Sequence, residues 1–151
     1  MYPKVWTPHV TVAAVIERND HFLLVEEIAD GARVYNQPAG HLEHGESLHE
    51  AVVREVLEEA ATHFEPDGIV GVYRWLNPES QQTHMRVAFH GRATGMEAGR
   101  PLDDGIVAPH WLAYEDIGDL GKALRSPMVL GCIDDYRRGQ SFDLCLLRDL
   151  T

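Results

Sequence analysis

The sequence predicts an α/β fold in which a mixed β-sheet is sandwiched between helices. The first observation behind this prediction is the order of segments along the chain, which runs strands, helix, strands, helix. The second is the length, because 151 residues suffice for one core and are too few for two ordinary domains. The third is the composition, whose 44% hydrophobic and 25% charged residues are typical of a globular chain. We therefore expect a single domain spanning residues 1–151.

The first strands form a predicted hairpin. Residues 9–18 (HVTVAAVIER) and 21–28 (HFLLVEEI) are apolar segments of strand length. Asn19 and Asp20 between them are residues that favour a tight turn. Residues 34–36 are expected to form a short strand just before Pro38.

Four later segments complete the predicted sheet. Residues 68–76 and 83–93 have the pattern of a second antiparallel pair. A Gly- and Asp-rich loop follows at residues 95–105. Strands are then expected within residues 108–116 and, near the end of the chain, 141–147.

Two segments carry helix signals. Ser47 and Glu50 form the capping pattern S-x-x-E, which predicts a helix from there to about Ala61. Ser126 and Pro127 predict the start of a second helix, since a capping serine is followed by a first-turn proline. That helix is expected to end near residues 137–138, with a glycine cap at position 139.

Charge and cysteine content restrict partners and compartment. Thirteen Lys and Arg against 24 Asp and Glu give a formal charge of −11. A nucleic-acid polymer or an anionic membrane needs a basic surface, so neither is an expected partner. Cys132 and Cys145 are too few for a disulfide framework, and MYPKVWTPHV lacks the apolar run of a signal peptide. We expect a cytoplasmic protein, either a monomer or a homodimer, with Cys132 buried and inert.

The first predicted helix concentrates negative charge. At 100° per residue one side is an apolar stripe; its members are Val53, Val56, Leu57 and Ala60, with Val52 at the edge. Glu55, Glu58 and Glu59 are expected to share the opposite side. Like charges at this spacing repel by about 0.2–0.5 kcal/mol per pair, so helix stability does not account for them. They are either a solvated acidic surface or oxygen ligands for a divalent cation, to which the carbonyl of Gly40 could add one more.

The spacing of these residues carries a family resemblance. Gly40, Glu46 and the run REVLEE at residues 54–59 resemble the Nudix box, G-x5-E-x7-R-E-U-x-E-E-x-G-U, where U is aliphatic. The pattern departs at Ala61, where the family has glycine, and at Thr62, where it has an aliphatic residue. Because alanine is penalised in a left-handed cap, this departure predicts that the helix continues toward His63.

The resemblance implies a Nudix fold and Mg²⁺-dependent hydrolysis of a diphosphate linkage, with Mn²⁺ as a possible substitute. The segments PHVTVAAVIE, FLLVEE, NQPAGHLE and LRSPMVLGCIDDYRRGQ further resemble a branch of small phosphatases in that family. That branch implies small phosphorylated substrates, namely nucleoside tri- and diphosphates and hydroxymethylpyrimidine diphosphate, with release of inorganic phosphate.

The same resemblance assigns roles in the box. Metal would be held by the carbonyl of Gly40 and by Glu55, Glu58 and Glu59, while Arg54 and Glu46 would pair and orient them. One of the helix glutamates would also be the general base. Independently of the resemblance, Asp103 and Asp104 in the loop could supply a further ligand or the base, or could be ordinary solvated aspartates.

Candidates for substrate binding lie outside the box. Arg86 and Arg125 could reach phosphate groups, although each could equally be an ordinary surface arginine. Tyr35 and Trp75 could stack on a ring of the substrate or pack in the core.

Other functions stay open at this stage. A nucleoside triphosphate pyrophosphohydrolase that releases diphosphate, or a hydrolase of the nucleotide-sugar or ADP-ribose type, would use the same box. A non-catalytic Nudix domain that senses a nucleotide is disfavoured, because every helix carboxylate of the box is present.

Overall fold

The structure is a computed structural model that describes residues 3–151. That part of the chain contains seven strands and three α-helices. The strands are β1 (His9–Arg18), β2 (His21–Ala29), β3 (Ala32–Asn36), β4 (Ala39–His41), β5 (Thr62–Leu76), β6 (Thr83–Met96) and β7 (Ile106–Ala113). The helices are α1 (Leu48–Ala60), α2 (Tyr114–Asp119) and α3 (Met128–Arg137), with short 3-10 helices at Gly121–Ala123 and Leu144–Leu146.

The sheet is mixed, as predicted, and β1 lies at its centre. Strand β1 pairs in parallel with β6 and antiparallel with β4, and β6 pairs antiparallel with β5. At its far end β1 meets β2 through the predicted hairpin, whose residues Asn19 and Asp20 have positive φ. Strand β2 then pairs antiparallel with both β3 and β7.

Helices cover both faces of the sheet, which confirms the predicted sandwich. On one face α1 packs on a buried cluster from β1, β2, β5 and β6; its members are Val12, Ala14, Ile16, Leu23, Val25, Phe64, Ile69, Val87 and Phe89. On the other face α2 and α3 bury Ile117, Val129, Cys132 and Ile133 against a second cluster. Cys132 is fully buried, as expected. Within residues 3–151 we find no helix with the length and apolarity to cross a bilayer.

Helix α1 ends at Ala60, so the predicted continuation toward His63 is wrong. Ala61 adopts a left-handed conformation with φ 51°, and its N–H donates to the Leu57 carbonyl at 3.0 Å. The chain enters β5 at once, and the Ala61 carbonyl accepts from the N–H of Glu97 at 2.8 Å. The tertiary path therefore imposes the left-handed cap despite its cost for alanine. Strand β5 is longer than predicted, with register shifts around Pro66.

One prediction for the second half of the chain is wrong. Residues 141–147 are not a strand, because Phe142 makes one isolated bridge to Ile69 and a 3-10 helix follows. The Asp143 side chain accepts from the N–H of Cys145, which favours that turn. The strand predicted within residues 108–116 is confirmed as β7, which ends at Ala113 before α2 begins at Tyr114.

The second predicted helix is confirmed as α3. The Ser126 hydroxyl accepts from the N–H of Met128 at 3.1 Å, and Gly139 after the helix has φ 81°.

Candidate active site

Helix α1 buries two of its three glutamates that belong to the box, which corrects the predicted orientation. Glu55 and Glu59 are only 6% and 8% exposed, and they lie on the inward side with Ala51, Val52, Val56 and Ala60. Glu58 remains at the edge with its side chain 33% exposed. The buried side of the helix is thus rotated from the predicted apolar stripe, and it includes Glu55 and Glu59.

Strand β4 packs closely against these carboxylates. The N–H of Ala39 donates to Glu59 Oε1 at 2.9 Å. A Cβ atom at Gly40 would lie 2.1 Å from Glu55 Oε1, so a side chain there would collide with the carboxylate. Glycine at position 40 is therefore required for the backbone to reach Glu55.

Arg54 connects the remaining carboxylates of the box. Its Nε and Nη2 donate to the two oxygens of Glu46 at 2.9 and 2.7 Å, a bidentate pair. Its Nη1 donates to Glu55 at 2.8 Å and to Glu58 at 3.1 Å, and Nη2 also reaches the His41 carbonyl at 3.0 Å. Hydrogen bonding to Arg54 lowers the pKa of Glu46, and the same bond raises the pKa of Arg54 further above its usual value. The predicted Arg54–Glu46 pair is therefore present.

Burial raises the pKa of both inward carboxyls, to about 7 for Glu55 and about 8 for Glu59. Hydrogen bonds from Arg54 and from Ala39, respectively, oppose the rise without cancelling it. Two desolvated carboxylates side by side are unfavourable unless protons or a cation neutralise them. In the absence of a cation, ionisation of Glu55 and Glu59 therefore lowers the stability of the folded protein.

The donor set fits a hard divalent cation. Carboxylate and carbonyl oxygens are the ligands such ions prefer, and the Gly40 backbone lies against the Glu55 carboxylate. As the side chains stand in residues 3–151, no three His, Cys, Asp or Glu groups already converge as a ligand cluster. In this arrangement Arg54 donates to both Glu55 and Glu58.

A cavity of about 390 Å³ opens in front of Glu55 and Glu59. Its lining carries both signs of charge. The acidic members are Glu27, Glu43, Glu55, Glu59 and Asp103, and the basic or imidazole members are Arg86, Arg125, His41 and His84. A site whose lining combines carboxylates with arginines can receive a cation and an anion together.

Arg86 lies in this cavity and is 4% exposed, so it is not an ordinary surface arginine. Its Nη1 donates to the Gln37 side chain at 2.8 Å and Nη2 to the Asn36 side chain at 3.1 Å. Gln37 is itself fixed by a 2.8 Å bond to the Val129 carbonyl. Neutral amide oxygens hold the guanidinium without cancelling its charge, and Nε has no partner among the described residues. Arg86 is therefore a fixed and uncompensated positive charge.

The remaining candidates divide between the cavity and the core. Arg125 lines the cavity half-exposed and is paired with Glu27. Trp75 lines it as well. Tyr35 is partly buried against the second core cluster, and its carbonyl accepts from the N–H of Arg125 at 2.8 Å. The predicted stacking of Tyr35 on substrate has no support in this placement.

The loop before β7 also reaches the site. Asp103 lines the cavity, and its N–H donates to the Glu58 carbonyl at 3.0 Å. Its neighbour Asp104 is not among the residues that line the cavity.

Sequence reasoning missed several residues of the cavity. Asn36 and Glu27 line the cavity, but the sequence assigns them only to predicted strands. Gln37 does not line the cavity and acts through its hydrogen bond to Arg86. Glu27 is the one with a usable signal, because two adjacent glutamates in an otherwise apolar strand require one of them to face inward.

Comparison with known proteins gives consistent matches. A family model described as "NUDIX domain" matches residues 7–129. The chain is 35% identical over 144 residues to "Phosphatase NudJ" of Escherichia coli K12, covering 95% of this chain and 93% of that protein. Among solved structures, a NUDIX hydrolase from Nitrosomonas europaea has 44% identity and a TM-score of 0.93, covering 95% and 97% of the two chains. An ADP-ribose pyrophosphatase from Streptococcus suis has 26% identity and a TM-score of 0.66, covering 87% and 93%.

Proposed function

The chain belongs to the NUDIX domain family and is a Nudix hydrolase, and from this premise we propose that it is a phosphatase or pyrophosphatase of small diphosphates. Its substrates would be nucleoside tri- and diphosphates or related compounds such as hydroxymethylpyrimidine diphosphate, and it would release inorganic phosphate. The similarity to Phosphatase NudJ across nearly the whole chain supports the phosphatase assignment.

One observation carries the proposal. Two buried carboxylates, Glu55 and Glu59, share a cavity with Arg86, whose charge is not neutralised by any carboxylate bonded to it. Such a site favours a ligand that brings a cation and a polyanion together, as a metal-bound diphosphate does. An uncharged substrate would leave both sides of the cavity uncompensated.

Nudix hydrolases generally use divalent metal ions. In this chain the residues to hold the ion are Glu55, Glu58, Glu59 and the carbonyl of Gly40. When bound, Mg²⁺, or Mn²⁺ in its place, neutralises phosphate oxygens and lowers the pKa of coordinated water.

The chain's own residues then have distinct tasks. Arg54, held by Glu46, fixes the directions of the Glu55 and Glu58 carboxylates. Arg86 and Arg125 bind phosphate oxygens, Arg86 as a buried donor held by Asn36 and Gln37, and Arg125 as a half-exposed donor paired with Glu27. A helix glutamate, or Asp103 at the cavity wall, accepts the proton of the attacking water.

The alternative is a hydrolase of the ADP-ribose or nucleotide-sugar type, or a triphosphate pyrophosphohydrolase. The Streptococcus suis neighbour, described as an ADP-ribose pyrophosphatase, supports it. Either enzyme would act on small phosphorylated compounds in the cytoplasm, and the acidic composition disfavours nucleic acid and membranes as partners.

Product analysis separates these activities. Nucleoside triphosphates, nucleoside diphosphates and ADP-ribose are incubated with enzyme and Mg²⁺, and orthophosphate and diphosphate are assayed separately. We expect orthophosphate from triphosphates and from diphosphates. Exclusive release of inorganic diphosphate, with nucleoside diphosphates untouched, would contradict the proposal and favour the pyrophosphohydrolase.

A further inference from the structure

We propose that three histidines beside the cavity, His9, His41 and His84, form a second metal site, which takes a divalent ion of the zinc type rather than Mg²⁺. The inference goes beyond the proposed function, because it concerns an ion held by imidazole nitrogens and not the ion that the α1 carboxylates would hold. It does not require that any diphosphate be cleaved.

Three adjacent strands bring these rings together. Strand β1 lies between β4 and β6 and supplies His9. His84 on β6 is directly opposite His9 in the parallel register, and His41 on β4 is opposite Thr11, two residues further along β1. The ring centroids of His41 and His84 lie 5.1 and 5.4 Å from that of His9. Since residues two apart on a strand share a face, the sheet itself holds the three imidazoles side by side.

The contact between His9 and His41 is already close to that of two ligands on one ion. Nδ1 of His9 lies 2.9 Å from Nε2 of His41. Two Zn–N bonds of about 2.0–2.1 Å at a tetrahedral angle put the two nitrogens about 3.4 Å apart. Separation by about half an ångström therefore makes room for the ion. The ring that donates the hydrogen bond takes the tautomer with its proton on the other nitrogen, so that both facing nitrogens present lone pairs.

His84 supplies the third ligand after a rotation of its side chain. As the side chains stand in residues 3–151, no three such groups converge, and the His84 ring is stacked on Trp75 with centroids 5.7 Å apart. The His84 side chain is partly exposed, so it can change rotamer without disturbing the core. Burial, followed by the neighbouring His9 and His41, lowers the pKa of His84 and favours the neutral imidazole that binds metals.

The donor set selects the class of ion. Two other histidines of the described chain, His63 and His110, are paired with glutamates. Within residues 3–151 the three proposed ligands have no such carboxylate partner. An all-imidazole set suits Zn²⁺ and its neighbours among the transition metals, whereas Mg²⁺ prefers oxygen. Because His41 and His84 line the cavity, an ion on them lies at the cavity wall, with its fourth position open to a solvent or ligand oxygen.

Calorimetric titration of Zn²⁺ in excess Mg²⁺ tests the site. We expect saturable binding to the wild type. Binding to His9→Gln and to His84→Gln should be about tenfold weaker or more, since losing even a group that only orients a ligand costs about 10- to 100-fold in affinity. The matched control is His44→Gln, because His44 is exposed and lies outside the cavity. Equal Zn²⁺ affinity in the wild type and in both variants would overturn the inference.

A further variant separates this site from the carboxylates of α1. Glu59→Gln, which weakens the carboxylate site, should bind Zn²⁺ as the wild type does. Loss of Zn²⁺ binding in Glu59→Gln but not in His9→Gln would place the ion on α1 and overturn the inference.

Proton–nitrogen NMR of the imidazoles tests the wild type without any substitution. Addition of Zn²⁺ should shift the ring nitrogen signals of His9, His41 and His84 and leave those of His44 in place. Shifts confined to other histidines would overturn the inference whether or not the variants fold.

Discussion

Helices α1 and α3 cover opposite faces of the same sheet, yet they bury different chemistry. The buried residues of α3 are Met128, Val129, Cys132 and Ile133, all apolar or weakly polar. Helix α1 buries Glu55 and Glu59 together with its apolar residues. The carboxyls of α1 reduce stability, since they must be desolvated, and nothing apolar is gained from them. The comparison indicates that α3 is selected for packing and that α1 is a compromise between packing and chemistry.

The largest expected effect is loss of turnover on changing the α1 carboxylates. Glu59→Gln keeps the shape and can still accept from the Ala39 N–H, but it removes a negative charge. We expect kcat to fall about 100-fold or more, because phosphate neutralisation and water activation both depend on the metal. Steady-state kinetics with Mg²⁺ measures this.

The matched control for that variant is Glu50→Gln. Glu50 is exposed and bonded to Ser47 at the start of α1, outside the cavity. It should retain most activity. Near wild-type turnover in both Glu55→Gln and Glu59→Gln would contradict a catalytic role for the buried pair.

The converse prediction concerns α3. Ile133 is fully buried in the second cluster, so Ile133→Ala should lower the free energy of unfolding by about 2–5 kcal/mol. The kcat of the fraction that remains folded should change little. Denaturant unfolding measures the free energy of unfolding, and active-site titration gives kcat per folded molecule. A large loss of kcat at unchanged stability would show that α3 also controls the chemistry.

Stability of the metal-free protein should depend on pH through α1. The folded-state pKa of Glu55 is raised to about 7 and that of Glu59 to about 8, from 4.5. The folded protein then binds more protons than the unfolded chain between pH 4.5 and 8. The stability that these two protonated carboxyls contribute is fully present below pH 4.5 and is lost as pH rises through 7 and 8. The loss amounts to several kcal/mol, since each unit of pKa shift corresponds to about 1.4 kcal/mol.

Urea unfolding in chelator across this range measures that loss. Glu59→Gln should flatten the profile, and saturating Mg²⁺ should reverse its slope, because the metal binds the deprotonated carboxylates. A flat profile in the metal-free wild type would count against burial of the two carboxyls.

The smallest expected effect is at the end of α1. Ala61 has φ 51°, so Ala61→Gly should relieve left-handed strain and stabilise by up to about 1 kcal/mol, with kcat unchanged. Ala60→Gly, inside the helix, should destabilise by about the same amount. Thermal unfolding of the two variants checks both signs. Destabilisation by both substitutions would show that the left-handed conformation of Ala61 does not determine the stability change at that position.

Sequence patterns predicted most strands, the two main helices and the box residues, because local spacing determines each of them. The mixed sheet was predicted from the order of these elements along the chain. The direction in which α1 faces could not be predicted in this way. A helical projection places the most apolar side inward, whereas the actual rotation depends on the close approach of Gly40, which lies in another element. The hydrogen bonds that hold Arg86 could not be predicted either, since their acceptors Asn36 and Gln37 are about fifty residues away along the chain.

The wrong strand prediction for residues 141–147 also arises because the structure there depends on contacts with residues distant in sequence. The sequence of residues 141–147 is compatible with a strand, but among the described residues only Phe142 of this segment pairs with a strand, at Ile69. Strand pairing is not a local property, so the sequence of this segment alone cannot exclude it.

The central claim is that Glu55 and Glu59 are buried in order to hold a divalent cation. Calorimetric titration of Mg²⁺, and of Mn²⁺, into chelator-treated protein at pH 8 tests it without any substrate. The account predicts saturable binding to the wild type and to Glu50→Gln, and binding at least tenfold weaker to Glu55→Gln and Glu59→Gln. Equal affinity in all four proteins would contradict it.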